Sequence, residues 1–217
     1  YIRPIMFAAD DILGVRPSET YKFFILLSPA GPYFVHPMRI YVEEESVRSA
    51  PGGVGFAKTA GNYAASMYPA AQARKMGYDQ VLWMDAIEHR YVQEIGMMNV
   101  FFIIGNTAIT PDLKAGTILE GVTRDSALTL LGEMGYEVQE RPVSIEELME
   151  TYQSGELKEV FGTGTAATVA PIKELRYKDY VMLFETDTWT AAPALKERLN
   201  AIRYGQVTDT HGWLVKV

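Results

Sequence analysis

Two apolar runs of strand length open the chain, residues 1–8 and 21–27. Between them lies a polar stretch, residues 10–18, that carries Gly14 and Pro17 and reads as a loop. The two runs are expected to pair as neighbours in one sheet. Ser28-Pro29-Ala30-Gly31-Pro32 is the strongest breaker cluster in the sequence and puts a domain boundary at about residue 35. Beyond it helical and strand periods mix. Residues 62–76 are rich in alanine and end at Gly77, as helices commonly do; Pro69 inside them predicts a kink or a later start. Residues 79–84, 91–95 and 99–104 read as strands, and Gly105-Asn106 as a hairpin turn into 107–110. Ala127, Leu128, Leu130, Leu131 and Met134 recur at helical spacing over residues 123–134, closed by Gly135. Ser144 with Glu147 is a capping-box pattern for a helix to about Gln153. Residues 160–169 hold a Gly/Thr-rich turn, and residues 192–204 form a last helix stopped at Gly205. The acidic triplet Glu43-Glu44-Glu45 between Val42 and Val47 is expected as a solvated turn. This mixed order, with several hairpins, predicts an α+β fold over a doubly wound sheet.

Composition narrows the partners. With 48% hydrophobic and 22% charged residues, the chain has an ordinary globular make-up. A net charge of −7 and no basic run argue against nucleic acid or an anionic membrane surface as the partner. The apolar stretches are far too short to span a bilayer as a helix. The absence of cysteine excludes disulfides and a Cys-ligated zinc and favours a cytoplasmic location. His36, His89 and His211 form no metal-like spacing, so no metal is expected.

Four segments can carry chemistry. Lys58 sits among small and apolar neighbours in Gly55-Phe56-Ala57-Lys58-Thr59-Ala60-Gly61-Asn62-Tyr63. Desolvation there would lower its pKa and make the amine nucleophilic; a solvated lysine at a turn fits the same residues. Glu94 lies between two strand-like runs, where a carboxylate either faces solvent or bonds a buried cationic ring nitrogen. Gly121-Val122-Thr123 precedes a helix and can offer N–H groups and a hydroxyl to an anion. Gly162-Thr163-Gly164-Thr165-Ala166-Ala167 is a second small, hydroxyl-bearing turn, a pattern that sterics alone also produce.

Taken together, a lysine, a carboxylate and two anion-binding turns are the parts of a pyridoxal-phosphate site. AKTAGNYAAS around Lys58, QVLWMD at 80–85, EIGMMN at 94–99, EGVTRDS at 120–126 and FGTGTAATVAPI at 161–172 resemble the branched-chain amino-acid aminotransferase family of fold type IV. YIRP at 1–4 and SPAGPYF at 28–34 match as well, and the segments run in family order to about Gly205. The resemblance implies that the family's N-terminal part, with a further phosphate-binding arginine, is missing. Residues 1–35 would then be the tail of the small N-terminal domain and the interdomain loop. Residues 36–217 would be the large cofactor-binding domain, a pseudobarrel with helices.

The same resemblance implies roles. Lys58 would hold pyridoxal 5'-phosphate as a Schiff base and shuttle the proton. Tyr63 would bond the cofactor's phenolic oxygen and Glu94 its ring nitrogen, while Val122, Thr123 and Thr165 would bind its phosphate. Tyr1 and the Thr165-Ala166 turn would hold the substrate carboxylate, and Arg3 the side-chain carboxylate of glutamate. Tyr33 and Met98 would line an apolar pocket, and Val15 would reach into a partner subunit's pocket. The expected activity is transfer of the amino group of Leu, Ile or Val to 2-oxoglutarate by a homodimer or higher homo-oligomer acting on amino acids and 2-oxo acids. A D-amino-acid transaminase, an aminodeoxychorismate lyase or a non-catalytic truncated remnant are the alternatives. The pattern departs from the family at Met97, where a small residue or threonine is usual, at Glu120, and at Ala167 and Ala170, where animal members carry a redox-active cysteine pair.

Overall fold

The computed structural model describes residues 1–31, 34 and 36–216. The chain divides into two compact units, Tyr1–Tyr33 and Phe34–Val217. The first is a hairpin. Strands β1 (Ile2–Ala8) and β2 (Tyr21–Leu27) pair antiparallel from Ile2↔Leu27 to Ala8↔Tyr21, as the two apolar runs predict. Asp10 closes the intervening loop by accepting from the backbone N–H groups of Glu19 and Thr20 and from the Thr20 hydroxyl.

The second unit is built on a nine-stranded sheet, six strands of which close into a ring. β3 (Met38–Val42), β4 (Gln80–Met84), β5 (Val92–Ile95) and β6 (Met98–Ile104) are neighbours in that order. β9 (Leu157–Gly164) pairs with β6 and with β10 (Thr168–Tyr177), and β10 returns to β3, so the sheet has the pairing of a six-stranded barrel. β7 (Thr107–Thr110), β8 (Glu137–Glu140) and β11 (Tyr180–Leu183) extend it at the sides. Helices α1 (Ala60–Lys75), α2 (Val122–Glu133), α3 (Ile145–Gln153) and α4 (Ala191–Arg203) complete the α+β fold.

Burial follows from strand alternation. Met38, Ile40, Leu82, Ile95, Met98, Val100, Phe102, Val160 and Ile172 fill one face of the ring. Phe101, Ile103, Phe161 and Val169 point the other way, onto Leu130 and Leu131 of α2 and Leu195 and Leu199 of α4. Val81 and Trp83 do the same beneath Ala73 of α1. α4 is anchored by a carboxylate: Glu159, 3% exposed on β9, accepts from the N–H groups of Thr190, Ala191 and Ala192 at 2.7–2.8 Å.

Several expectations shift. α1 begins at Ala60 and carries Pro69 inside it, not before its start. The proline forfeits one backbone bond, but Pro69, Ala70 and Ala73 are buried, and that packing holds the helix through the gap. The turn expected over 160–169 is a hairpin whose turn is confined to 165–167, between β9 and β10. β3, β8, β10 and β11 are strands that periodicity did not announce.

Candidate active site

Glu94 faces the helix side of the ring because it neighbours Ile95, which points inward. Leu82 opposes Ile95 and Met84 opposes Val92, so Gln93 and Glu94 together face Trp83 alone. The extra residue lets Val92 and Ile95, three positions apart, both point into the apolar ring, while Glu94 beside Ile95 points out of it. There it opposes Asn99 on β6, and Asn99 in turn opposes Thr163 on β9. Carboxylate, amide and hydroxyl thus form a row across three strands, each 5% exposed or less. The Thr163 hydroxyl has no partner in that row or elsewhere among the described residues.

Three donors converge on Glu94. Arg48 Nε lies 2.6 Å from Oε2; Asn99 Nδ2 and the Leu119 N–H donate to Oε1 at 3.2 and 3.1 Å. Burial pushes the carboxyl up to about 7, and the Arg48 charge, the Leu119 N–H and the Lys58 charge hold it from going further. Asn99 also donates to the Leu119 carbonyl at 2.9 Å, so it grips the approach to α2. The fit there requires glycine: a Cβ on Gly121 would stand 2.1 Å from Asn99 Oδ1.

Gly121 is the N-cap of α2, and no side chain caps this end. The first helical bond runs from the Asp125 N–H to the Gly121 carbonyl at 3.0 Å, which leaves the N–H groups of Val122, Thr123 and Arg124 ahead of it free of helical partners. Val122 is exposed and Thr123 half-buried. The Arg124 side chain turns away, to the Pro111 carbonyl and Glu140, so an anion at this end would meet backbone dipoles.

Lys58 ends the loop before α1. Its Nζ donates to the Tyr63 hydroxyl at 2.6 Å and lies 4.7 Å from that ring's centroid. Of the two readings of Lys58, the structure has the solvated one: the side chain is exposed, as are its apolar neighbours Val54 and Phe56. Orientation comes instead from Tyr63 and from a folded loop. Asn62, 7% exposed, donates to the carbonyls of Val54 and Ala57 at 2.8 and 2.9 Å.

A small pocket lies between Glu94 and the start of α1, lined by Arg48, Asn62, Tyr63, Glu94, Met97 and Leu119 among others. Met97 is in this lining and Met98 is not. Met98 is buried on the opposite face of β6, against Gly162. Met98 opens β6 opposite Ile95 and points with it into the apolar ring, whereas Met97 lies in the turn just before. That placement does not support the pocket role expected for Met98. Thr165 and Ala166 are exposed at the β9–β10 turn, two and three residues past Thr163. Tyr1, Arg3 and Val15 belong to the hairpin unit, where the Arg3 guanidinium lies 4.9 Å from the Tyr1 ring centroid and Val15 is fully exposed in the loop. Tyr33 lies outside the described residues. Sequence reading missed Arg48, Asn62 and Asn99; only Asn99 had a signal, a polar residue opening an otherwise apolar strand.

The residues present fit pyridoxal phosphate. The buried Glu94 carboxylate suits a protonated ring nitrogen, the Tyr63 phenol stands beside the Lys58 amine, and the open N-terminus of α2 suits a phosphate.

Comparison with known proteins points the same way. Residues 1–175 match the family described as amino-transferase class IV. The chain is 49% identical to a probable branched-chain-amino-acid aminotransferase of Staphylococcus aureus (strain MRSA252), over all of this chain and 62% of that protein. It is 48% identical to branched-chain-amino-acid transaminase 1 of Bacillus subtilis (strain 168), with the same coverage. The chain therefore spans about 62% of the length of these curated relatives. Among solved structures, an Escherichia coli branched-chain amino acid aminotransferase superimposes with a TM-score of 0.85 at 29% identity, over 100% of this chain and 69% of that one. The branched-chain amino acid aminotransferase from Thermobaculum terrenum, in its PLP-bound holo-form, gives 0.81 at 27% identity, over 99% of this chain and 67% of that one.

Proposed function

This chain belongs to the class IV aminotransferases, and we propose that it is the pyridoxal-phosphate-binding part of a branched-chain amino-acid transaminase that moves the amino group of Leu, Ile or Val to 2-oxoglutarate. The observation that carries the reading is the single pocket wall shared by Tyr63, already bonded to Lys58, and the buried Glu94.

When bound, the cofactor supplies an electron sink for the substrate carbanion. Lys58 holds it and moves a proton to and from the substrate carbon as general base and acid. Tyr63 orients the Lys58 amine and the cofactor's phenolic oxygen. Glu94 holds a proton on the ring nitrogen, while the N–H groups of Val122 and Thr123, with Thr165, bind the phosphate. Tyr1, Arg3, Tyr33 and Ala166 serve the substrate, and Val15 serves a partner subunit. A homodimer and a cytoplasmic setting belong to the same proposal. Val54, Phe56, Met67 and Tyr68, exposed around the start and outer side of α1, support the association.

The test is to load the chain with pyridoxal phosphate, reduce it with borohydride and map the labelled peptide. Label on Lys58, with conversion of the bound cofactor to its amine form by L-leucine and not by D-alanine, supports the reading. Label on another lysine, or conversion by D-alanine alone, overturns it in favour of another enzyme of this fold.

A further inference from the structure

Arg48 lies in the loop between β3 and α1, ten residues before Lys58. Its side chain is 6% exposed. Nε meets Glu94 Oε2 at 2.6 Å, Nη1 donates to the Thr117 carbonyl at 2.9 Å, and both Nη atoms reach the Gly55 carbonyl at 3.3–3.4 Å. The three acceptors sit on three segments. Glu94 is on β5, Thr117 is in the loop that leads through Leu119 to the α2 N-terminus, and Gly55 is in the loop that ends at Lys58. These loops touch closely here: a Cβ on Gly55 would stand 2.5 Å from the Thr117 carbonyl oxygen. A guanidinium is a flat, rigid fork, so one side chain sets the spacing of all three.

We propose that Arg48 is a positioning residue of the site with two separable actions: its fork holds the Lys58 loop and the Thr117 loop against Glu94, and its charge keeps Glu94 an anion that retains a proton on the ring nitrogen of bound pyridoxal phosphate. The second action rests on the function proposed above; the first does not.

The charge action follows from the surroundings of Glu94. A carboxylate 2% exposed takes up a proton readily, and Arg48 is the largest influence opposing that. Take Arg48 away, and the proton shared between ring nitrogen and carboxylate passes to the carboxylate: N–H⁺ facing COO⁻ becomes N facing HOOC. No proton is gained or lost; only its position changes. A ring nitrogen without its proton is the weaker electron sink.

Arg48→Lys keeps the charge and loses the fork, whereas Arg48→Gln loses both. With pyridoxal phosphate labelled with ¹⁵N in the ring, the nitrogen resonance of the loaded chain reads the proton directly. We expect a protonated ring in the wild type and in Arg48→Lys, and an unprotonated ring in Arg48→Gln. A protonated ring in Arg48→Gln overturns the charge action. The cofactor-free chain tests the fork by amide hydrogen exchange. Residues 55–58 and 117–119 should exchange about tenfold faster or more in both variants, as expected for losing charge-assisted bonds. Unchanged protection in both overturns the fork action. If Arg48→Gln leaves Glu94 too costly to fold around, the double variant Arg48→Gln with Glu94→Gln has no buried charge left and carries the exchange measurement. If wild-type chain takes up the cofactor nowhere or on another lysine, the functional reading and the charge action fall together, and hydrogen exchange still decides the fork.

Discussion

The Tyr63 hydroxyl accepts a 2.6 Å hydrogen bond from Lys58 Nζ, and its ring faces the same ammonium at 4.7 Å. An exposed amine is thereby given one direction without being buried. Tyr63→Phe keeps the ring and removes the acceptor. The expected outcome is about tenfold weaker pyridoxal-phosphate uptake on Lys58, measured by absorbance titration, with the fold unchanged by circular dichroism.

Glu94 makes stability depend on pH in a direction opposite to most carboxylates. Its folded-state pKa of about 7 lies above the ordinary 4.5, so the folded chain binds this proton more tightly than the unfolded chain does. Between those values, rising pH takes the proton from the unfolded state first, and Glu94 becomes a growing cost that is complete above about 7. The stability of Glu94→Gln relative to wild type should therefore improve as pH rises from 4.5 to 7, by about 3 kcal/mol. Urea denaturation of both chains across this range, without cofactor, measures it. A flat difference would sink the assignment.

Glu159 is a structural carboxylate, distinct from the site. Its two oxygens satisfy three N–H groups at the start of α4. Glu159→Ala leaves those donors buried and unpaired and should lower stability by about 3 kcal/mol, with pyridoxal-phosphate affinity unchanged in the chain that remains folded. Thermal unfolding together with cofactor titration separates the two readouts.

Gly121→Ala should disturb the proposed phosphate end. The new Cβ meets Asn99 Oδ1, pushing either the amide off Glu94 or the start of α2 out of place. Cofactor affinity should fall about tenfold or more. Adding Asn99→Ala removes the obstructing oxygen, so the double variant should lose less than the sum of the two single losses. Strict additivity in a double-mutant cycle would show that the two residues do not meet.

Much of the frame was legible because it rests on local signals. The two opening runs pair as β1 and β2, and the Glu147 N–H bonds the Ser144 hydroxyl at 3.1 Å, as the capping-box spacing predicts. β3 was hidden although Met38, Ile40 and Val42 alternate with Arg39 and Tyr41, because it is short and follows directly on Pro37. β10 was hidden by Pro171, which discourages a strand reading. The strand tolerates that proline because it changes partners there: Thr168 to Pro171 pair with β9, and Ile172 to Arg176 pair with β3.

The site divided along the same line. Lys58, Tyr63 and Glu94 were marked by the motifs around them. Arg48 was not, since an arginine in Ser46-Val47-Arg48-Ser49 carries no local sign of burial. Its importance comes from acceptors 7, 46 and 69 residues away, at Gly55, Glu94 and Thr117, which only the closed sheet brings together. Met97 and Met98 could not be told apart for a similar reason. Met97 is in the turn and Met98 opens β6 opposite Ile95, and periodicity does not say where the turn ends and the strand begins.

Trp83 packs beneath α1 with its indole N–H bonded to the Gly96 carbonyl at 3.0 Å, two residues past Glu94. Of the three tryptophans, Trp189 sits in the cluster under α4, and Trp213 stacks on His211. Only the Trp83 indole is bonded to the turn that edges the pocket. A ligand that absorbs in the near ultraviolet and seats between Tyr63 and Glu94 will drain its excited state and dim its emission. A side chain fixed by packing thus doubles as an optical gauge of occupancy, readable in unlabelled protein and isolated cleanly by Trp189→Phe with Trp213→Phe.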